Sequence, residues 1–165
     1  MPVNLVNQNF DIKTANAPLP MKWLRFVVKF LIPFQLTVGS IITFGNCYNS
    51  VNDFYDGNFL LYLSFVPNLL ELIVWMVSFV LKYKAMNEFL HLSANAVKLF
   101  KLNFVVLFVG YFAVFIFYLP YMSAFKALSI CAPQLIANAF MYIANSVYFS
   151  KRMFLFEKDA DQDSV

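Results

Sequence analysis

Four apolar stretches, each about as long as a bilayer is thick, constrain this chain more than any other feature. They cover roughly residues 26–48, 59–81, 102–119 and 127–149. About 20 helical residues at about 1.5 Å rise cross a hydrocarbon core of about 30 Å. In that solvent every backbone N–H and C=O must be paired within the chain, which leaves only helices or closed barrels. The runs are continuous rather than alternating, so they predict helices. Charge is too scarce for a water-soluble globule: 13% of the 165 residues are charged and 61% are hydrophobic, against about 25% charged in soluble domains. The expected fold is all-α, a transmembrane four-helix bundle forming one domain over residues 22–156.

The flanking segments read differently. Residues 1–21 are polar, contain Pro18 and Pro20, and predict a flexible tail. A cleavable signal peptide is not expected, because the first apolar run starts too late and no small-residue cleavage site precedes it. Residues 49–58 predict a turn-rich loop with Asp53, Asp56 and Gly57. Residues 82–101 mix polar positions with Met86, Phe89, Val97 and Phe100 near helical spacing. They suit either a short interfacial helix between spans two and three or an extension of those spans. Residues 157–165 form an acidic tail with Glu157, Asp159, Asp161 and Asp163. Within the spans, Gly39, Ser40 and Gly45 permit close helix approach, and Pro67 and Pro133 predict kinks.

Four spans place both termini on one side. Of the 12 Lys and Arg residues, only Lys126 falls in the loops opposite the termini. Arg25/Lys29, Lys82/Lys84 and Lys151/Arg152 abut span ends, where basic residues mark the cytoplasmic face. The expected topology is N-in and C-in, in the cell (plasma) membrane. The net charge of +3 is accounted for by these flanks, so nucleic acid is not an expected partner.

Glu71 is the residue on which chemistry would centre. It is the only acidic residue inside a span, and an ionisable group at that depth is a functional candidate. Asn68, Glu71, Trp75 and Ser78 share one helix face with Ser64. Gln134, Asn138 and Asn145 share a face on span four, and Gln35 lies on span one. These stripes are expected to turn inward, since lipid offers polar groups no partner. Glu71, Asn68, Gln35, Gln134 and Asn138 form the candidate intramembrane polar site. Three roles stay open for it: a structural network, a proton or cation site, or a small-ligand pocket.

Other features exclude more than they assign. Cys47 and Cys131 lack partners at metal-ligand spacing and read as small buried hydrophobes. His91, the single histidine, reads as a solvated residue. No nucleophile elbow, zinc-protease motif or phosphate-binding loop occurs, so no catalytic residues, metal site or cofactor is expected. Phe26–Phe30 (FVVKF) resembles Phe104–Phe108 (FVVLF), and Pro67–Leu70 (PNLL) resembles Pro133–Ile136 (PQLI). A parallel duplication and coincidence in a chain rich in Phe and Val both explain these matches.

The two ends carry motifs of their own: Lys22-Trp23-Leu24-Arg25-Phe26 at the entry and Tyr148-Phe149-Ser150-Lys151-Arg152-Met153-Phe154-Leu155-Phe156 at the exit. In these the chain resembles small, uncharacterised four-span membrane proteins of Gram-positive bacteria, which share a KWxxF entry and a YFxKRxxLF exit. The resemblance implies topology and a bacterial plasma membrane, without an activity. The long N-terminal tail and acidic C-terminus depart from that pattern. Physically, Trp23, Arg25, Tyr148, Lys151 and Arg152 suit membrane-interface anchors at headgroup depth.

Together these features predict a non-enzymatic interaction or accessory protein whose surroundings are the lipid bilayer and whose partner is a second copy or another membrane protein. The alternative is a subunit of a small oligomeric proton- or cation-coupled transporter or channel, with Glu71 as the titrating group.

Overall fold

The computed structural model describes residues 10–17, 19–55 and 59–157. Residues 1–9, Pro18, Asp56, Gly57, Asn58 and the tail from Lys158 onward lie outside the described residues. The chain is all-helical among those described: α1 (Lys22–Phe26), a π-helical turn (Val27–Leu31), α2 (Ile32–Tyr55), α3 (Phe59–Leu90), α4 (Ala94–Tyr118), α5 (Ala124–Ser150) and α6 (Phe154–Glu157). Four helices are long and apolar enough to cross a membrane, and the protein is a multi-pass membrane protein. The first span comprises α1, the π turn and α2; the others are α3, α4 and α5.

Local chemistry accounts for the irregular points. Pro33 has no N–H, and its ring would press on the Lys29 carbonyl in a regular α-helix. The preceding turn widens instead, with the Ile32 N–H reaching the Val27 carbonyl five residues back, the usual form of a π-bulge. Ser93 and Ser123 cap the next helices, accepting from the Asn95 N–H at 3.2 Å and the Lys126 N–H at 3.3 Å. Between α3 and α4 the chain reverses within three residues by placing Leu92 at φ 55°. That left-handed conformation disfavours a side chain, but burial of Leu92 among aromatic neighbours offsets the strain.

Several boundaries differ from those expected. Residues 82–101 form no interfacial helix: α3 runs on to Leu90 and α4 starts at Ala94. The second span, 32 residues long, extends about 48 Å and projects well past a core of about 30 Å. The loop expected at 49–58 is helical as far as Tyr55, because continuing a helix pairs backbone groups that a loop would leave open. Residues 10–15, expected as loose tail, are helical and dock on the bundle. Phe10 is fully buried, Asp11 pairs with Lys29 at 2.7 Å, and the Thr14 hydroxyl accepts from Arg25 Nε at 2.8 Å.

Helices pack in chain order: α3 on α4, α2 on α3, and α4 on α5. The first and fourth spans make no comparable backbone approach. At the end carrying the first and last described residues and most of the basic ones, here the basic end, one apolar cluster joins Leu24, Val27, Phe89, Phe100, Phe104, Phe149 and Phe156. A smaller cluster of Val114, Tyr118, Ala127 and Cys131 sits at the opposite end. Between them much of the surface is apolar and exposed, as at Ile41, Ile136, Phe140 and Ile143. That distribution suits hydrocarbon as the solvent.

Gly39 and Gly110 each permit a close helix approach. A Cβ on Gly39 would lie 2.7 Å from Trp75 Nε1, and one on Gly110 would lie 2.6 Å from Val74 Cγ2. Gly45 faces open space, and Ser40 donates to the Leu36 carbonyl of its own helix. Neither of these two brings helices together. Gly110→Ala is therefore expected to destabilise the bundle by about 1–3 kcal/mol through overpacking, whereas Gly45→Ala is neutral. Thermal unfolding of the two variants in detergent checks the contrast. The FVVKF and FVVLF segments, for which duplication and coincidence are both open on sequence alone, have out-of-phase burial. Val27 and Val28 are buried with Phe26 and Phe30 exposed, whereas Phe104 and Leu107 are buried with Val105 and Phe108 exposed. The two segments do not occupy equivalent positions.

Candidate functional site: a polar cleft between the first and fourth spans

The polar stripe on α3 faces α4, and antiparallel packing matches the two position by position. The Tyr118 hydroxyl donates to Asn68 Oδ1 at 3.2 Å, and the Tyr111 hydroxyl donates to Glu71 Oε1 at 3.2 Å. Further along, the Ser78 hydroxyl donates to Asn103 Oδ1 at 2.6 Å. Trp75, between Glu71 and Ser78, lies against Gly39 of α2. Ser64 belongs to the same face by spacing, but its side chain lies outside the described residues. On α5, Asn138 and Asn145 each donate to a carbonyl one turn back, Gln134 at 2.8 Å and Met141 at 2.7 Å. Their amide groups are thus satisfied locally while their carbonyl oxygens stay available to other spans.

These stripes border two adjoining cavities. One, of about 260 Å³, is lined by Gln35, Glu71, Lys82, Gln134 and Asn138 with apolar neighbours including Trp75 and Phe104. The other, of about 430 Å³ and nearer the opposite end, is lined by Asn46, Asn49, Asn68, Glu71, Tyr118 and Gln134 among others. Ile42, Glu71, Tyr111 and Gln134 line both. Glu71 therefore stands where the cavities meet. The cleft opens between α2 and α5 because those helices do not pack on each other.

All five residues of the candidate polar site lie on these cavities: Gln35, Glu71, Gln134 and Asn138 on the smaller and Asn68 on the larger. Sequence reasoning missed Asn103, Tyr111, Tyr118 and Lys82. The first three recur at spacings of 8 and 7, a helix-face signal that the absence of charge in the third span obscured. Lys82 read as a span-closing lysine; it is 7% exposed.

The expected interface anchors have a further role. Trp23 Nε1 donates to Asn145 Oδ1 at 2.9 Å, and the Leu24 N–H donates to the Tyr148 hydroxyl at 3.4 Å. Arg152 lies over the Tyr148 ring, 4.0 Å from its centroid, and its Nε donates to the Pro20 carbonyl at 3.3 Å. The entry and exit motifs, over a hundred residues apart, thus clasp the first and fourth spans together at the basic end. Arg25 is engaged by Thr14, and Lys151 is exposed.

Cys47 and Cys131 are free thiols, the second buried. His91 is exposed in the α3–α4 turn. Among the described residues no group of His, Cys, Asp and Glu gathers to hold a metal ion. Comparison of the chain with protein-family models, curated proteins and solved structures finds no match.

Proposed function

We propose that this multi-pass membrane protein is non-enzymatic and binds a proton or small cation at Glu71, as a subunit of an oligomeric proton- or cation-coupled transporter or channel. The observation that carries this reading is the position of Glu71 where two polar cavities adjoin. An inert structural carboxyl needs partners on its neighbours, but it does not need a cleft around it. Four spans rarely enclose a pathway, and here the cleft is open along one flank, so a second copy or another subunit completes it.

That open flank also favours a second reading, an accessory protein that receives a partner helix between α2 and α5. The basic flanks support N-in, C-in placement in a plasma membrane. The terminal motifs support kinship with the small four-span proteins of Gram-positive bacteria.

Glu71→Gln separates the two readings, because glutamine still accepts the Tyr111 hydroxyl but carries no charge. In proteoliposomes, gradient-driven proton or monovalent-cation flux is expected to fall about tenfold or more if Glu71 carries the coupled charge. Thermal stability should stay within about 1 kcal/mol. Absence of flux from the wild type, with stability altered by the substitution, would leave the accessory reading standing.

A further inference from the structure

We propose that the smaller cavity is built for a zwitterion, with Glu71 receiving its ammonium group and Lys82 its anionic group. The inference rests on the reading of Glu71 as a cation site and adds the second half of the ligand. Lys82 lines the same cavity as Glu71. It is 7% exposed, and the ion pair seen among the described residues, Asp11 with Lys29, does not involve it. A lysine with so little exposure favours an anionic group within the cavity it lines. Glu71 does not supply the countercharge. The two residues are 11 positions apart on one helix (82 − 71), about 16 Å along its axis, a gap that glutamate and lysine side chains do not close even when extended toward each other.

Groups along the cleft have the matching polarity. Toward one end lies the Lys82 ammonium, a donor that lines the cavity. Toward Glu71 lie acceptors. One Glu71 oxygen takes only the Tyr111 hydroxyl, and Gln35 Oε1 is buried with no donor. A ligand that is cationic at one end and anionic at the other satisfies both sets. A simple cation leaves Lys82 uncompensated, and a simple anion leaves Glu71 and Gln35 so. The volume of about 260 Å³ is at the small end for ligand sites and suits a molecule of amino-acid size. A free zwitterion and a zwitterionic lipid headgroup share this chemistry, and the cleft's open flank admits either.

An ω-amino acid series tests the charge spacing directly. Binding of glycine, 4-aminobutyrate and 6-aminohexanoate to the detergent-purified protein would be measured calorimetrically, beside alkylamines and alkanoates of the same lengths. A short-chain phosphatidylethanolamine would probe the lipid source. One chain length is expected to bind best, about tenfold tighter than either singly charged analogue, in line with a charge-assisted contact at each end. Lys82→Gln is expected to abolish the advantage of the ω-amino acid over the alkylamine, and Lys82→Arg to restore it. Binding of the phosphatidylethanolamine alone, with the same dependence on Lys82, supports the site and identifies a headgroup as its ligand. Alkylamines binding as tightly as ω-amino acids to the wild type would overturn the zwitterion inference and leave Glu71 as a cation site. Failure of every amine and every cation would remove the Glu71 reading as well.

Discussion

Phe89→Ala is expected to destabilise the protein by about 3–5 kcal/mol, the largest effect of any single substitution considered. Phe89 is fully buried. Its ring stacks on Phe149 at 5.4 Å and meets Phe100 at 5.5 Å and Phe156 at 6.1 Å edge-on. One side chain of α3 therefore joins α4, α5 and α6. The location decides the size of the effect. Between two helices in lipid, burial gains little, because lipid tails are as apolar as the side chain they replace. With Lys82 and Lys84 at the membrane face, as their charge predicts, Phe89 lies beyond the hydrocarbon, where the unfolded alternative faces water and the full hydrophobic contribution applies. Phe140, 68% exposed on the lipid-facing surface of α5, is the control, and its replacement by alanine is expected to change stability by less than about 1 kcal/mol. Thermal or denaturant unfolding in detergent followed by circular dichroism reads both. Equal losses at the two positions would mean that the aromatic cluster is no more than another lipid-like contact.

The second large effect is expected at the clasp. Trp23→Ala removes both an indole ring and the N–H that Asn145 accepts at 2.9 Å. Trp23 is half-buried, so the expected loss is about 2–3 kcal/mol, below the range for a fully buried aromatic. Asn145 is fully buried, and its carbonyl oxygen then has no donor, which adds a desolvation penalty. A double-mutant cycle with Asn145→Ala isolates the hydrogen bond, with an expected coupling of about 1 kcal/mol. Because the first and fourth spans otherwise pack poorly, the loss should be local as well as global. Hydrogen exchange in α1 and the π turn is expected to rise more than in α3 and α4. Additive losses in the cycle, with uniform exchange, would show that Trp23 acts as a bilayer anchor and not as a clasp.

The residues of the two predictions differ in how readily the sequence reveals them. Phe89 and Phe100 lie in a segment whose polar and apolar positions alternate at helical spacing, so their helical state was legible. That they continue the spans was one of two options, and the turn at Leu92 decided it. Trp23, Tyr148 and Arg152 carry chemistry that suits a membrane interface equally well, so their composition could not indicate that they meet one another. Glu71 stood out because a carboxyl in an apolar run has few innocent explanations. Tyr111 and Tyr118 did not stand out, because tyrosine is at home in lipid headgroups, bundle cores and polar sites alike.

The amino-acid sequence by itself determined the four helices long and apolar enough to cross a membrane, the gathering of basic residues at their ends, and the faces along which polar residues line up. Those follow from local rules: hydrocarbon forces the backbone to bond within each segment, and the helical repeat places every third or fourth residue together. The tertiary structure alone decided that α2 and α5 stand apart while their ends are clasped, that Lys82 shares a cavity with Glu71, and that the polar groups of α4 answer those of α3. Each of these depends on how one helix is rotated against another. That rotation is set by glycine contacts and aromatic packing between residues remote in the chain, which no local spacing records.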